Sequence, residues 1–128
     1  DGIPVNTDQY SPKRGAPIEM MVELLNVLGA DGWFTLPFTA NNEYVQKFAL
    51  LVKQKLNKGQ KIYLEYGNEA WNFAWPFVRG ANWLQAKGKQ FWPSNGTPFD
   101  KQMNWFAKRT AEVCKLWKDE WGGDSDRV

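Results

Sequence analysis

The sequence contains no histidine, and that one absence removes whole classes of chemistry. Ser-His-Asp and Cys-His mechanisms need an imidazole as base, and many zinc sites need its ring nitrogens. Carboxylate chemistry is what remains. The single cysteine, Cys114, has no second thiol for an internal disulfide and no base to make it a nucleophile, so it reads as buried filler in a helical pattern. No apolar run is long enough to span a bilayer, and no basic-then-apolar start reads as a signal peptide, so the expectation is a soluble chain with no membrane partner. The formal net charge is only +2 and no lysine or arginine cluster stands out, which argues against nucleic acid as a partner. No ligand cluster points to a metal, and nothing calls for a cofactor.

What the chain has in excess is aromatic surface. Eight tryptophans in 128 residues, with 43% apolar residues, allow one globular domain with its own core. A core absorbs several indoles, but an aromatic carbohydrate groove accounts for the excess equally well.

Residues 1–16 are rich in Gly, Pro, Asn and Asp without a sustained period and read as loop. Pro17 marks the first turn of a helix in which Ile18, Met21, Leu24, Leu25 and Leu28 fall at helical spacing and Gly29 forms the C-cap. A short strand over 33–36 stops at Pro37. Asn41 or Asn42 caps the next helix, whose buried stripe is Val45, Phe48, Ala49, Val52 and Leu56. A strand at 62–66 follows, so the order predicts a βαβ unit with parallel strands. Residues 70–100 form a long aromatic connection with a short helix around Pro76–Lys87; Asn95-Gly96-Thr97 within it fits a glycosylation acceptor. The last helix, about 101–120, turns Met103, Phe106, Thr110, Val113, Cys114, Trp117 and Trp121 inward. Lys108, Arg109, Glu112, Lys115 and Asp119 are expected outside.

The stretch that carries chemistry is 61–72, KIYLEYGNEAWN. Ile62, Leu64 and Tyr66 alternate with Tyr63 and Glu65, the strand ends at Gly67, and Asn68 and Glu69 fall just past its C-terminal end. Ligands of parallel α/β sheets and barrels bind at that end. A glutamic acid beside an amide and between aromatic rings is partly desolvated, a setting that suits a carboxyl group to donate a proton. Asn68 can donate to a sugar hydroxyl, and Trp71 offers a flat face for stacking. Glu65 could point inward by strand parity but reads as a satisfied carboxylate, Glu43 as a helix N-terminal charge and Asp100 as a helix cap.

A strand ending in Asn68-Glu69 and followed by Trp71-Asn72 resembles the fourth strand of the TIM-barrel retaining glycoside hydrolases of clan A. The order from GAPIEMMVELLNVLGADGWFTLPF onward is similar to uncharacterised or cellulose-associated barrels of that clan. The resemblance implies an α/β chain forming a partial (β/α)8 TIM barrel, its third and fourth βα units, with an enlarged aromatic loop after the fourth strand. It implies Glu69 as general acid/base, Asn68 as partner of the substrate 2-hydroxyl, and Trp71, Asn72 and Trp75 at the substrate. The nucleophile of the clan lies on strand seven, which no residue here matches. Since a whole barrel takes about 250 residues, the 128 residues read as one segment, incomplete at both ends and inactive alone. Its expected partners are a carbohydrate and the remainder of the barrel or another copy of the chain. A secreted or extracellular setting follows from the family. Two other readings stand beside this one: a non-catalytic carbohydrate-binding module using Trp71, Trp75 and Trp92, and a structural fragment that self-assembles through open sheet edges.

Overall fold

Alternating burial sets the two strands that position everything else. In the computed structural model, which describes residues 16–94 and 96–128, β1 (Gly32–Leu36) turns Gly32, Phe34 and Leu36 inward. β2 (Ile62–Tyr66) turns Ile62 and Tyr66 the same way. The strands pair in parallel with Gly32 opposite Ile62 and Leu36 opposite Tyr66. The connecting helix α2 (Asn42–Lys55) completes the βαβ unit that the sequence order predicts. The chain is therefore α/β, with a two-stranded parallel sheet among the described residues. The expected loop before Ala16 and Asn95 of the glycosylation acceptor lie outside those residues.

Each helix end has a local cause. Asn41 is the N-cap of α2, its Oδ1 accepting from the Tyr44 N–H at 2.8 Å. α1 (Ile18–Leu28) has Pro17 at the N-cap, one residue before the expected first turn, and ends at Gly29 in the left-handed region. α3 (Val78–Phe91) starts and ends later than the expected Pro76–Lys87. α4 (Pro98–Trp121) begins earlier than expected because Thr97 and Asp100 form a capping box. Thr97 is thus the cap, and Asp100 is its reciprocal partner rather than the cap itself. A 3-10 turn, Gly122–Arg127, follows at the diglycine.

One sheet face packs against helices. Phe34, Leu36, Ile62 and Tyr66 meet Val22 of α1, Val45, Phe48, Ala49 and Val52 of α2, and Val113, Trp117 and Trp121 of α4 in a single core. Phe48 stands edge-on to Phe34 at 5.2 Å and to Trp117 at 5.5 Å, the offset geometry that aromatic quadrupoles favour. Trp121 is fully buried and donates from Nε1 to the Ala49 carbonyl at 3.2 Å. Of the eight tryptophans, Trp117 and Trp121 belong to this core, and Trp33, Trp71, Trp75 and Trp83 count among the exposed apolar residues.

Two expectations about helix faces are corrected. In α1 the inward residues are Ile18, Met21, Val22 and Leu25, whereas Leu24 and Leu28 are exposed with Val27. At about 100° per residue Leu24 lies well round the helix from that group, whereas Leu28, seven residues after Met21, falls on the same side and is exposed as the last residue of the helix. Arg109 of α4 is buried, not outside. Its guanidinium donates to Asn42 Oδ1 at 2.7 Å, the Ala40 carbonyl at 3.0 Å and Glu112 Oε2 at 3.2 Å, and these bonds compensate its loss of water. Cys114 is half-buried rather than core filler.

The opposite sheet face is uncovered among the described residues. Trp33 and Tyr63 stack there at 6.2 Å and are exposed. Glu65 lies on this face, not toward the helices. Its Oε2 accepts from Thr35 Oγ1 at 2.8 Å and Trp33 Nε1 at 3.2 Å.

Candidate functional site

The C-terminal ends of β1 and β2 meet at a tight turn. Gly67 continues the ladder, donating to the Leu36 carbonyl at 2.7 Å, then adopts φ +66°. A Cβ there would stand 1.9 Å from the Phe38 ring, so a side chain is excluded by space as well as by backbone conformation. Phe38 is pinned from the other side by Gly80 of α3 and edge-on by Tyr66 at 5.6 Å. Burial pushes the Tyr66 hydroxyl above its ordinary pKa, which keeps it the donor to the Phe38 carbonyl at 2.6 Å.

Two residues further on, Glu69 has φ +50°. A non-glycine residue in this region carries a cost of about 1–2 kcal/mol, and such residues concentrate where function demands a particular orientation. The turn throws Asn68 outward and leaves the Glu69 side chain half-buried. Asn72 holds that carboxylate: its Nδ2 donates to Glu69 Oε2 at 2.6 Å and its backbone N–H to the Glu69 carbonyl at 2.9 Å. Its Oδ1 is taken by the Ala74 N–H at 2.7 Å. Asn72, expected at the substrate, is therefore committed to placing Glu69. Ala70 is buried between the two, and its carbonyl accepts from Nε2 of the buried Gln102 at 2.6 Å, which ties the turn to α4.

The predicted site residues are brought together only in part. A cleft of about 270 Å³ at the strand ends is lined by Thr35, Leu36, Pro37, Asn68, Pro76 and Phe77. Asn68 belongs to it; Glu69, Trp71, Asn72 and Trp75 do not line it. Trp71 and Trp75 stand beside the turn with 60% and 75% of their surface exposed. Arg79 lies over the Trp75 ring at 5.7 Å, fixing one face and leaving the ring open to solvent. Among the described residues no group of carboxylates, cysteines and histidines is placed to hold a metal, and no helix is long and apolar enough to cross a membrane.

Sequence reasoning did not identify Asn72 as the support of Glu69, Gln102 as the tether of the turn, or Phe38 as the wall of the cleft. The spacing Glu-x-x-Asn immediately after a strand, with glycine two residues before the acid, is the signal that carried the first of these. No protein-family model, curated protein or solved structure matches this chain. The fold and the site together define an α/β chain that presents a conformationally constrained, amide-held glutamate beside exposed indoles at the C-terminal end of a parallel sheet.

Proposed function

We propose that the chain is the part of a retaining β-glycosidase TIM barrel that spans the third and fourth βα units, with Glu69 as general acid/base. The observation that carries this reading is the Glu69 turn: a carboxylate placed past a parallel strand, in a left-handed conformation, and held by Asn72. Among the described residues the helices lie on one sheet face, Trp33, Thr35, Tyr63 and Glu65 occupy the uncovered face, and no third strand pairs with either edge; strands of a wider barrel would be arranged this way.

In this mechanism the Glu69 carboxyl group gives its proton to the glycosidic oxygen as the bond to the anomeric carbon breaks. A second carboxylate, about 5–5.5 Å away, attacks that carbon and is supplied by a part of the barrel outside these two units or by another copy. The Glu69 carboxylate then takes a proton from the water that releases the sugar. Asn68 faces the cleft and donates to the 2-hydroxyl, and Trp71 and Trp75 stack on neighbouring rings. The chemistry uses no cofactor, and a polysaccharide substrate places the protein outside the cell. The test is hydrolysis of aryl β-glycosides together with the intact mass of the active particle. Glu69→Gln should abolish turnover of substrates with poor leaving groups; near-normal rates would sink the proposal.

The exposure of Trp71 and Trp75 also favours a second reading, a non-catalytic carbohydrate-binding module. Trp92 is not part of the same platform, because the 14 residues of α3 separate it from Trp75 by about 20 Å. This reading predicts saturable binding of oligosaccharides without hydrolysis, lost in Trp71→Ala and Trp75→Ala; a flat titration against glucans, xylans and mannans counts against it.

A further inference from the structure

On the far side of Phe38 lies a second and larger cavity, of about 620 Å³, which the Glu69 site does not use. Phe38 lines both spaces and separates them. The larger one falls within the roughly 300–1,000 Å³ of small-molecule sites. Its walls are the indoles of Trp83 and Trp105, and its polar rim comes from the start of α2 and from α3 and α4.

Three observations bear on what it holds. The Nε1–H of Trp105 is buried beside the Tyr66 hydroxyl, whose burial-raised pKa it lowers in part, so Trp105 offers the cavity its ring rather than a free donor. The Lys87 ammonium lies 4.8 Å from the centre of the Trp83 ring, which steadies the ring, and pairs with no carboxylate among the described residues. The lining charges are of both signs, Lys87 and Arg109 with Glu43 and Glu112, and the two carboxylates are already paired with Lys47, Lys108 and Arg109, so the rim offers donors and acceptors together. Flat aromatic faces ringed by mixed donors and acceptors suit a polyhydroxylated, uncharged ring.

We infer that this cavity is a second binding site for a neutral oligosaccharide, separate from the Glu69 site. The cavity stands independently of the proposed function; only the choice of a sugar as its ligand rests on that reading. Trp83 and Trp105 supply the aromatic walls, Lys87 donates to hydroxyl oxygens, and Glu43 accepts.

The test is a titration of the ¹⁵N-labelled chain with tetrasaccharides of β-linked glucose, xylose and mannose, followed through the tryptophan indole N–H signals. The Trp83 and Trp105 signals should move saturably with one of the sugars. Trp83→Ala should weaken that binding about tenfold, Lys87→Ala severalfold, and Trp71→Ala not at all. Fixed Trp83 and Trp105 signals up to millimolar sugar overturn the inference, as does an unchanged midpoint in both the Trp83 and Lys87 variants. Movement of Trp71 and Trp75 alone overturns the second site while supporting the Glu69 site. Movement of Trp83 and Trp105 alone supports the second site and counts against the function proposed for Glu69.

Discussion

Gln102→Leu isolates the tether that holds the Glu69 turn. Gln102 has no exposed surface, and its amide donates to the Ala70 carbonyl at 2.6 Å. Its contact with Gln85, at 3.5 Å, is at the limit of a hydrogen bond and adds little. Leucine has nearly the same volume, so the change removes the donor without opening a large cavity. The Ala70 carbonyl is left buried and unpaired, which costs about 1–3 kcal/mol, a large share of the roughly 5–15 kcal/mol that holds a domain together. Urea unfolding followed by tryptophan fluorescence measures the loss, and an unchanged slope shows that the unfolded reference has not altered. Gln90→Leu, on the exposed side of α3, is the control and should change stability by less than about 0.5 kcal/mol. Equal effects of the two substitutions would refute the tether.

Three further outcomes are expected. Glu69→Gly should be about 1 kcal/mol more stable than Glu69→Ala, because both lose the carboxylate but only glycine is at ease at φ +50°; equal midpoints in urea would contradict the left-handed turn. Trp117→Ala, at a fully buried position between Phe34, Phe48 and Trp121, should cost about 3–5 kcal/mol, against less than about 0.5 kcal/mol for the exposed Trp71→Ala; comparable losses in thermal unfolding would reverse the assignment of core and site. Stability should fall as pH drops below about 4. Three carboxylates set that slope: Glu43, lowered by its hydrogen bond and ion pair with Lys47, Asp100, lowered by its side-chain and backbone hydrogen bonds with Thr97, and Glu112, where burial raises the value but hydrogen bonds from Lys108 and Arg109 outweigh it. Their folded-state values are depressed, so what they contribute is present above the unfolded values and is lost as acid protonates them. Glu112→Gln should flatten the slope in urea unfolding from pH 7 to 3, and an unchanged slope would contradict it.

The parts of the fold legible in the sequence are those set by a period and a nearby cap. The stripe of α2 and both strands follow from side-chain spacing alone, and Asn41 announces its helix within one turn. α1 misled because leucine and valine surround it, so periodicity alone could not choose between the face of Val22 and that of Leu24. The burial of Arg109 was invisible because its partners, Asn42 and Ala40, are 67 and 69 residues away in the chain. At the site, residue types and their place after a strand pointed to Asn68 and Glu69. The sign of φ at Glu69 and the commitment of both Asn72 amide atoms depend on how the turn closes, which no composition or spacing rule specifies.

The central claim is that Glu69 delivers the proton to a departing glycoside. It is tested most directly by hydrolysis of aryl β-glycosides of graded leaving-group ability, using whatever particle containing this chain proves active and its Glu69→Ala variant. The account predicts that the variant still releases the best leaving groups, which need no proton, while losing at least about 100-fold on the poorest, in keeping with general-acid catalysis. Azide, which needs no base, should restore the second step and yield a glycosyl azide. A uniform small loss across the series, with no response to azide, would contradict the assignment of Glu69 as acid/base.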